Sequence, residues 1–121
     1  MLFTVEGKPI RYVFHYQQFE TWKRRMDPEA LDAIYKRLDE EIYNKDIHYS
    51  SWVPGADWNN TVFLPIYEIM CGDEVKSRKF FGNIFMDVFI RRAETWIFNK
   101  GEQTLYDRVP GSYYWKTGKK D

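Results

Sequence analysis

The segment from residue 27 to about residue 45 limits the fold more than any other part of the sequence. Asp27 can cap a helix, Pro28 suits the first helical position, and Glu29 places a negative charge in the first turn. Apolar side chains then recur at helical spacing, and the other faces of the segment are charged. The pattern predicts a long amphipathic helix with a buried side made of Leu31, Ile34, Tyr35, Leu38 and Ile42.

A second long helix is predicted between Asp73, which can cap its first turn, and about Arg92. Gly82 lies in the middle of this segment and is expected to let a neighbouring element approach closely. The apolar positions again recur at helical spacing and indicate one buried side. That side comprises Phe81, Ile84, Phe85, Val88 and Phe89.

Two shorter helices are predicted as well. Residues 16–26 carry apolar side chains at helical spacing and end in a cluster of cations, which suits a helix C-terminus. Pro65 suits the first turn of a helix over residues 65–71, and Gly72 ends that helix. Helices therefore occupy most of the middle of the chain.

The two ends of the sequence carry strand patterns. Residues 2–5 and 10–15 alternate around a turn, which predicts a hairpin with Ile10, Tyr12 and Phe14 on one face. Three further strands are predicted at residues 95–98, 103–107 and 113–115. The order of strands, helices and strands predicts an α+β fold. In it, a small antiparallel β-sheet, made of the N-terminal hairpin and the C-terminal strands, packs against two long α-helices and the shorter ones.

Length and composition fit a single domain over residues 1–121, with a polar tail at residues 116–121. A chain of 121 residues can bury a sufficient core without a disulfide or a metal. The formal net charge is zero, which removes a general attraction for nucleic acid and permits self-association. Aromatic residues make up 19% of the sequence, more than a domain of this size needs for its core.

Cys71 is the only cysteine, so no intramolecular disulfide can form, and a lone thiol fits a reducing compartment. The sequence has neither a signal-peptide pattern nor an apolar run long enough to cross a bilayer. A cytoplasmic location without membrane contact is predicted. His15 and His48 lie far from Cys71 and lack the spacing of zinc ligands, so neither a metal nor a cofactor is predicted.

Residues 46–60 lose all periodicity and are predicted to form a long loop. Aromatic faces beside a carboxylate and an imidazole can hold a small aromatic or cationic ligand by stacking, cation–π contact and hydrogen bonds. The alternative is that the rings pack the loop onto the core while Asp57 bonds within a local turn. The candidate ligand-binding residues are His48, Tyr49, Trp52, Asp57, Trp58 and Glu68.

Other functional classes remain open. A small enzyme would use Asp57, Glu68 or His48 as acid–base groups in an aromatic pocket, although no residue is assigned a catalytic role. A metal-dependent phosphodiesterase would need Asp57, Glu74 and Lys76, whereas Glu74 is more simply a favourable charge in the first turn of its helix. Basic clusters near the aromatic C-terminal strand suit a single-stranded nucleic-acid binder, a class made less favourable by the equal number of acids.

The leading functional prediction is a non-catalytic binding or protein-interaction module. Tyrosine and tryptophan are enriched at the cores of protein interfaces, and this chain is rich in both. A homodimer is expected, formed through the C-terminal strands or through the aromatic segment 49–67. The partner classes are therefore a second copy, a small ligand or another protein.

The aromatic segment also resembles small orphan proteins carried on bacterial integron gene cassettes. The residues that carry the resemblance are Trp52, Pro54, Asp57, Trp58, Thr61, Phe63, Pro65 and Tyr67, with Ala93, Glu94, Thr95 and Trp96 downstream. Such cassette proteins are largely uncharacterised, so the resemblance transfers no catalytic residue. It implies a bacterial, cytoplasmic, accessory role.

Overall fold

A computed structural model describes residues 1–43, 47–49, 58–59, 61–100 and 112–116. Five short strands and four helices lie within these residues. In chain order they are β1 (Leu2–Thr4), β2 (Pro9–Ile10), α1 (Tyr16–Arg25), α2 (Pro28–Tyr43), β3 (Ile47–Tyr49), α3 (Leu64–Ile69), α4 (Glu74–Arg91), β4 (Trp96–Lys100) and β5 (Ser112–Lys116). The predicted α+β fold is confirmed.

Helix α4 lies at the centre of the molecule. Its Asp73 cap forms as predicted, because the side chain accepts a hydrogen bond from the Lys76 backbone N–H at 3.0 Å. The helix contacts α1, α2 and α3 and packs against the sheet through Phe85 and Phe89. The predicted buried side is confirmed, and burial extends beyond it to Ser77, Phe80 and Met86. Helix α4 is therefore buried on several sides, unlike a surface helix with one apolar stripe.

The five strands form one sheet in the order β2-β1-β4-β5-β3. Three of the four neighbouring pairs are antiparallel, as predicted. The fourth pair differs, because β1 runs parallel to β4, with Leu2 opposite Trp96. A parallel pair needs a crossover connection, and here the helices between the two strands supply it. The sheet is therefore mixed rather than purely antiparallel.

The remaining helices form close to the predicted positions. Helix α1 buries Phe19 and Trp22, and Met26 directly after it is also buried. Asp27 accepts a hydrogen bond from the Ala30 backbone N–H at 3.2 Å, which satisfies one free donor at the start of α2. Of the predicted stripe on α2, three residues are fully buried and two are partly buried against the core: Ile34, Leu38 and Ile42, then Leu31 and Tyr35.

Several local predictions are wrong. The second strand of the hairpin stops at Ile10, so Tyr12 and Phe14 do not continue its buried face and are 66% and 49% exposed. Val13 is the buried residue of that segment. A Cβ placed on Gly82 would meet nothing within 4 Å, so no neighbour approaches it. The predicted loop at residues 46–60 contains a strand, β3, paired with β5.

Two sequence predictions lie outside the described residues: the strand at residues 103–107 and the polar tail beyond Lys116. Among the helices that the structure describes, none combines the length and apolar character needed to cross a bilayer.

The contact between α4 and the sheet gives a stability prediction. Phe89 is fully buried and stacks on Tyr114, with ring centroids 4.1 Å apart. Phe89→Leu should lower the free energy of unfolding by about 2 kcal/mol, because it removes the stacked ring and leaves a cavity. Urea unfolding would measure the change. The control Tyr12→Leu, at an exposed position, should stay within about 0.5 kcal/mol of the parent, and equal losses in both variants would contradict the central role of Phe89.

Candidate functional site

Trp58, one of the candidate ligand-binding residues, is a core residue of the structure. Its side chain is 3% exposed. The indole stacks on Tyr67 at 5.9 Å and meets Phe81 edge-on at 6.4 Å. Its Nε1–H lies 3.2 Å from both carboxylate oxygens of Glu74. Trp58 therefore anchors the end of the aromatic segment onto α3 and α4.

Glu74 has a structural role in the same contact. Its carboxylate accepts from the Trp58 indole and from the Arg78 guanidinium, which lies 2.8 Å away. The backbone N–H of Lys76 donates the hydrogen bond that forms the Asp73 cap. Two members of the phosphodiesterase hypothesis are thus placed at the N-terminus of α4, and the third, Asp57, lies outside the described residues. Glu74 acts as the acceptor for Trp58 and Arg78.

The other candidate residues from the aromatic segment are placed only in part. His48 and Tyr49 belong to β3, where the backbone pairs them with Tyr114 and Tyr113. Trp52 and Asp57 fall outside the described residues. Glu68 is exposed on α3. An acid–base pocket built from these residues stays a prediction.

Cys71 and His15 each have an unusual backbone. Cys71 is exposed and adopts a positive φ of 55°, directly before Gly72 at 78°. His15 precedes α1 with φ 57° and ψ 48°, in the left-handed region. Within the described residues, no three His, Cys, Asp or Glu side chains come together as metal ligands would. Cys71 is an exposed thiol just after the C-terminal end of α3.

The sequence did not predict a network of charges at the C-terminal end of α4. Tyr35 donates a hydrogen bond to Asp87 at 2.6 Å, and Arg91 pairs with the same carboxylate at 3.0 Å. Arg92 forms ion pairs with Asp39 on α2 and with Glu94 before β4. Of these residues, all except Asp87 border a cleft of about 550 Å³. The partners are up to 53 residues apart in sequence, so no local spacing could indicate them.

The pKa shifts in this cleft follow from burial and from the hydrogen bonds of the network. Burial and the hydrogen bond to Asp87 raise the pKa of Tyr35 above its ordinary value, so its phenol remains a donor. Burial alone would raise the pKa of Glu94, but hydrogen bonds from Arg92 and Trp96, with the charge of Arg92, lower it to about 2. A phenol that stays protonated cannot act as a base. The network ties α2, α4 and β4 together.

The face of the sheet opposite α4 is apolar in its middle. Side chains alternate between the two faces of a strand, and Leu2, Trp96 and Tyr114 point toward the helices. Phe3, Ile97 and Trp115 therefore point away from α4, and the register places them side by side across β1, β4 and β5. All three are half-buried, and none belongs to the helical core. We call these three residues the open-face row.

A small pocket lies on the helical side of the sheet, between the start of α1 and the middle of α4. Its volume is about 190 Å³. Gly82 forms part of its lining, and Phe14 stands beside it with its ring edge-on to Phe98 at 5.5 Å. We call this space the Gly82 pocket. Neither the pocket nor the open-face row was predicted, because both depend on which face of a segment points outward.

Comparisons with protein-family models, with curated proteins and with solved structures find no match to this chain. The resemblance to integron cassette proteins therefore stays a prediction.

The hydrogen bond between Trp58 and Glu74 can be tested directly. Trp58→Phe keeps an aromatic ring in the core but removes the N–H donor, and should lower the free energy of unfolding by about 1 kcal/mol. Urea unfolding of Trp58→Phe, Glu74→Ala and the double variant would measure the coupling between the two side chains. Strictly additive losses would contradict an energetic contribution from this hydrogen bond.

Glu94 makes the stability depend on acid pH. Because folding lowers its pKa from 4.5 to about 2, its charge stabilises the fold above pH 4.5, and this contribution is lost as the pH falls toward 2. Glu94→Gln should cost about 1 kcal/mol near pH 7 and almost nothing near pH 2. Urea unfolding of parent and variant across this range checks the prediction. Glu68→Gln, at an exposed position, serves as the control. If the difference in free energy of unfolding between Glu94→Gln and the parent does not change with pH, the prediction is wrong.

Proposed function

We propose that the protein is a non-catalytic interaction module that forms a homodimer through the open-face row. The observation that carries the proposal is the position of Phe3, Ile97 and Trp115 at the middle of a sheet face with no described helix over it. A half-buried apolar row of this kind on a sheet is stabilised when a second surface covers it. The proposal places the protein in the cytoplasm of a bacterium, in line with the lone cysteine and the cassette resemblance.

The second surface in this proposal is another copy of the same chain. A twofold interface pairs the same patch with itself, and twofold dimers are the commonest assemblies of soluble chains. The net charge of zero means that two copies do not repel each other over long distances. The row also contains two aromatic rings, Phe3 and Trp115, of the type enriched at interface cores.

The row has a suitable geometry for such an interface. Ile97 lies on β4, between β1 and β5, so its neighbours on both sides are fixed by the backbone pairing. Its partners in register are Phe3 and Trp115. Two such sheets can pack face to face at about 10 Å, with the side chains of the two rows interdigitating. This arrangement would extend the core through the dimer axis.

The assembly is tested by its mass. The parent protein should have twice the 14.7 kDa mass of one chain in light scattering at tens of micromolar. Ile97→Lys should give a monomer, because it places a charge in the middle of the row. The matched control is Val75→Lys on the surface of α4, a residue that is 68% exposed, and it should remain dimeric.

Circular dichroism would separate loss of assembly from loss of folding. If Ile97→Lys does not fold, Ile97→Thr keeps a β-branched residue in the strand and should weaken the dimer about ten-fold or more. A parent protein that is monomeric at tens of micromolar would overturn the proposal. So would an Ile97→Lys variant that is folded and still dimeric.

A further inference from the structure

We propose that the Gly82 pocket binds a small planar aromatic anion, such as a one-ring carboxylate or phosphate ester. The pocket lies on the helical side of the sheet, whereas the open-face row points the other way. The inference therefore stands apart from the proposed dimer. Open space above Gly82, aromatic walls and positive charges at the rim all favour such a ligand.

Gly82 leaves open space on one side of α4. It lies in the interior of α4, where glycine costs stability relative to alanine because its backbone is less restricted when unfolded. Neither backbone strain nor packing requires glycine here, since its φ is helical and a Cβ would meet nothing within 4 Å. What the missing side chain does provide is open space at the pocket lining. A bound molecule can thus approach the backbone of α4.

The walls of the pocket favour a flat ring. Phe14, Met86 and Tyr114 supply apolar surface, and Phe14 is 49% exposed although it is large and apolar. The edge-on contact with Phe98 at 5.5 Å fixes the orientation of the Phe14 ring. A ligand ring can stack on or meet such a fixed aromatic side chain without the cost of ordering it first. The volume of about 190 Å³ is below that of pockets for drug-sized molecules and fits about one ring with one substituent.

The rim of the pocket favours a negative charge. Lys79 and Arg78 line it, and no described lining residue carries a carboxylate. Arg78 is already paired with Glu74 at 2.8 Å, whereas Lys79 has no ion pair with any residue that the structure describes. The amides of Gln18 and Asn83 add hydrogen-bonding groups. A cationic ligand, which the sequence allowed for the aromatic loop, would meet like charge here.

The backbone of His15 supports the same location. His15 lines the pocket and adopts the left-handed conformation, which is uncommon for a residue with a side chain. Strained backbone of this kind occurs more often at functional sites than elsewhere. The left-handed backbone of His15 turns the chain from Phe14 into α1. Both the Phe14 ring and the first turn of α1 therefore lie beside the Gly82 pocket.

The test uses benzoate as the probe and amide chemical shifts as the readout. Benzoate should shift the amide signals of residues 14–18 and 79–86 with a dissociation constant on the order of 1 mM. Phenyl phosphate distinguishes a phosphate from a carboxylate preference. The neutral benzamide should bind about five-fold or more weakly, and the cationic benzylamine should bind least.

Variants then separate the pocket from the fold. Gly82→Ala should raise Tm by about 3 °C, because alanine favours the helix, while reducing benzoate binding. Gly82→Leu fills more of the space and should abolish binding. Lys79→Gln should weaken benzoate binding about five-fold and leave benzamide unchanged, whereas Lys76→Gln, the same change one turn earlier on α4, should have no effect.

Three results would overturn the inference. One is an absence of localised shifts with benzoate and phenyl phosphate at about ten times the expected dissociation constant. Another is benzylamine binding as tightly as benzoate. The third is unchanged benzoate binding in folded Gly82→Ala and Gly82→Leu. Because the readout is ligand binding rather than mass, failure of this inference and failure of the dimer proposal are distinguishable.

Discussion

The stacking of Phe89 on Tyr114 fixes the position of α4 on the sheet. The two rings are nearly parallel, 7° apart, and Trp96 meets Phe89 edge-on at 4.7 Å. These contacts hold α4 against β4 and β5 at the middle of the sheet. The other three helices pack on α4, so their positions follow from the position of α4. A displaced Phe89 would therefore disturb every layer of the fold.

The same contact divides the sheet into two unlike faces. The face toward α4 is filled with aromatic rings and carries the Gly82 pocket at its margin. The opposite face keeps the open-face row half-buried. The ion-pair network lies at the C-terminal end of α4, where Arg92 pairs with Asp39 and Glu94. The two proposed binding surfaces are thus separated from each other by the sheet itself.

The sequence predicts the helices well because their signals are local. Asp27 and Asp73 cap the helices that begin directly after them, α2 and α4. The spacing of apolar residues such as Ile34 and Phe85 identifies the buried side of each helix. The parallel pairing of β1 with β4 has no such signal, because its partners are far apart in the chain. The α+β class could therefore be predicted, but not the arrangement of its strands.

The candidate site was less predictable for a related reason. Trp58 could be named as unusual, but whether its ring points inward depends on Glu74 and Phe81, which no spacing connects to it. Alternation at residues 10–15 likewise suggested a strand, yet the chain leaves the sheet after Ile10 and exposes Phe14. The exposed Phe14 is one of the residues that line the Gly82 pocket. A glycine in a helix indicated a close contact, and the structure instead gives it open space.

The parallel pairing of β1 with β4 has a consequence for how the chain folds during synthesis. Strand β1 leaves the ribosome well before its partner strand, which begins at Trp96. Closing a loop of that length carries an entropic cost that only the completed contacts repay. The helices can form as they emerge, whereas the N-terminal hairpin must wait for β4. A segment made before the helices thus reaches its final place after them.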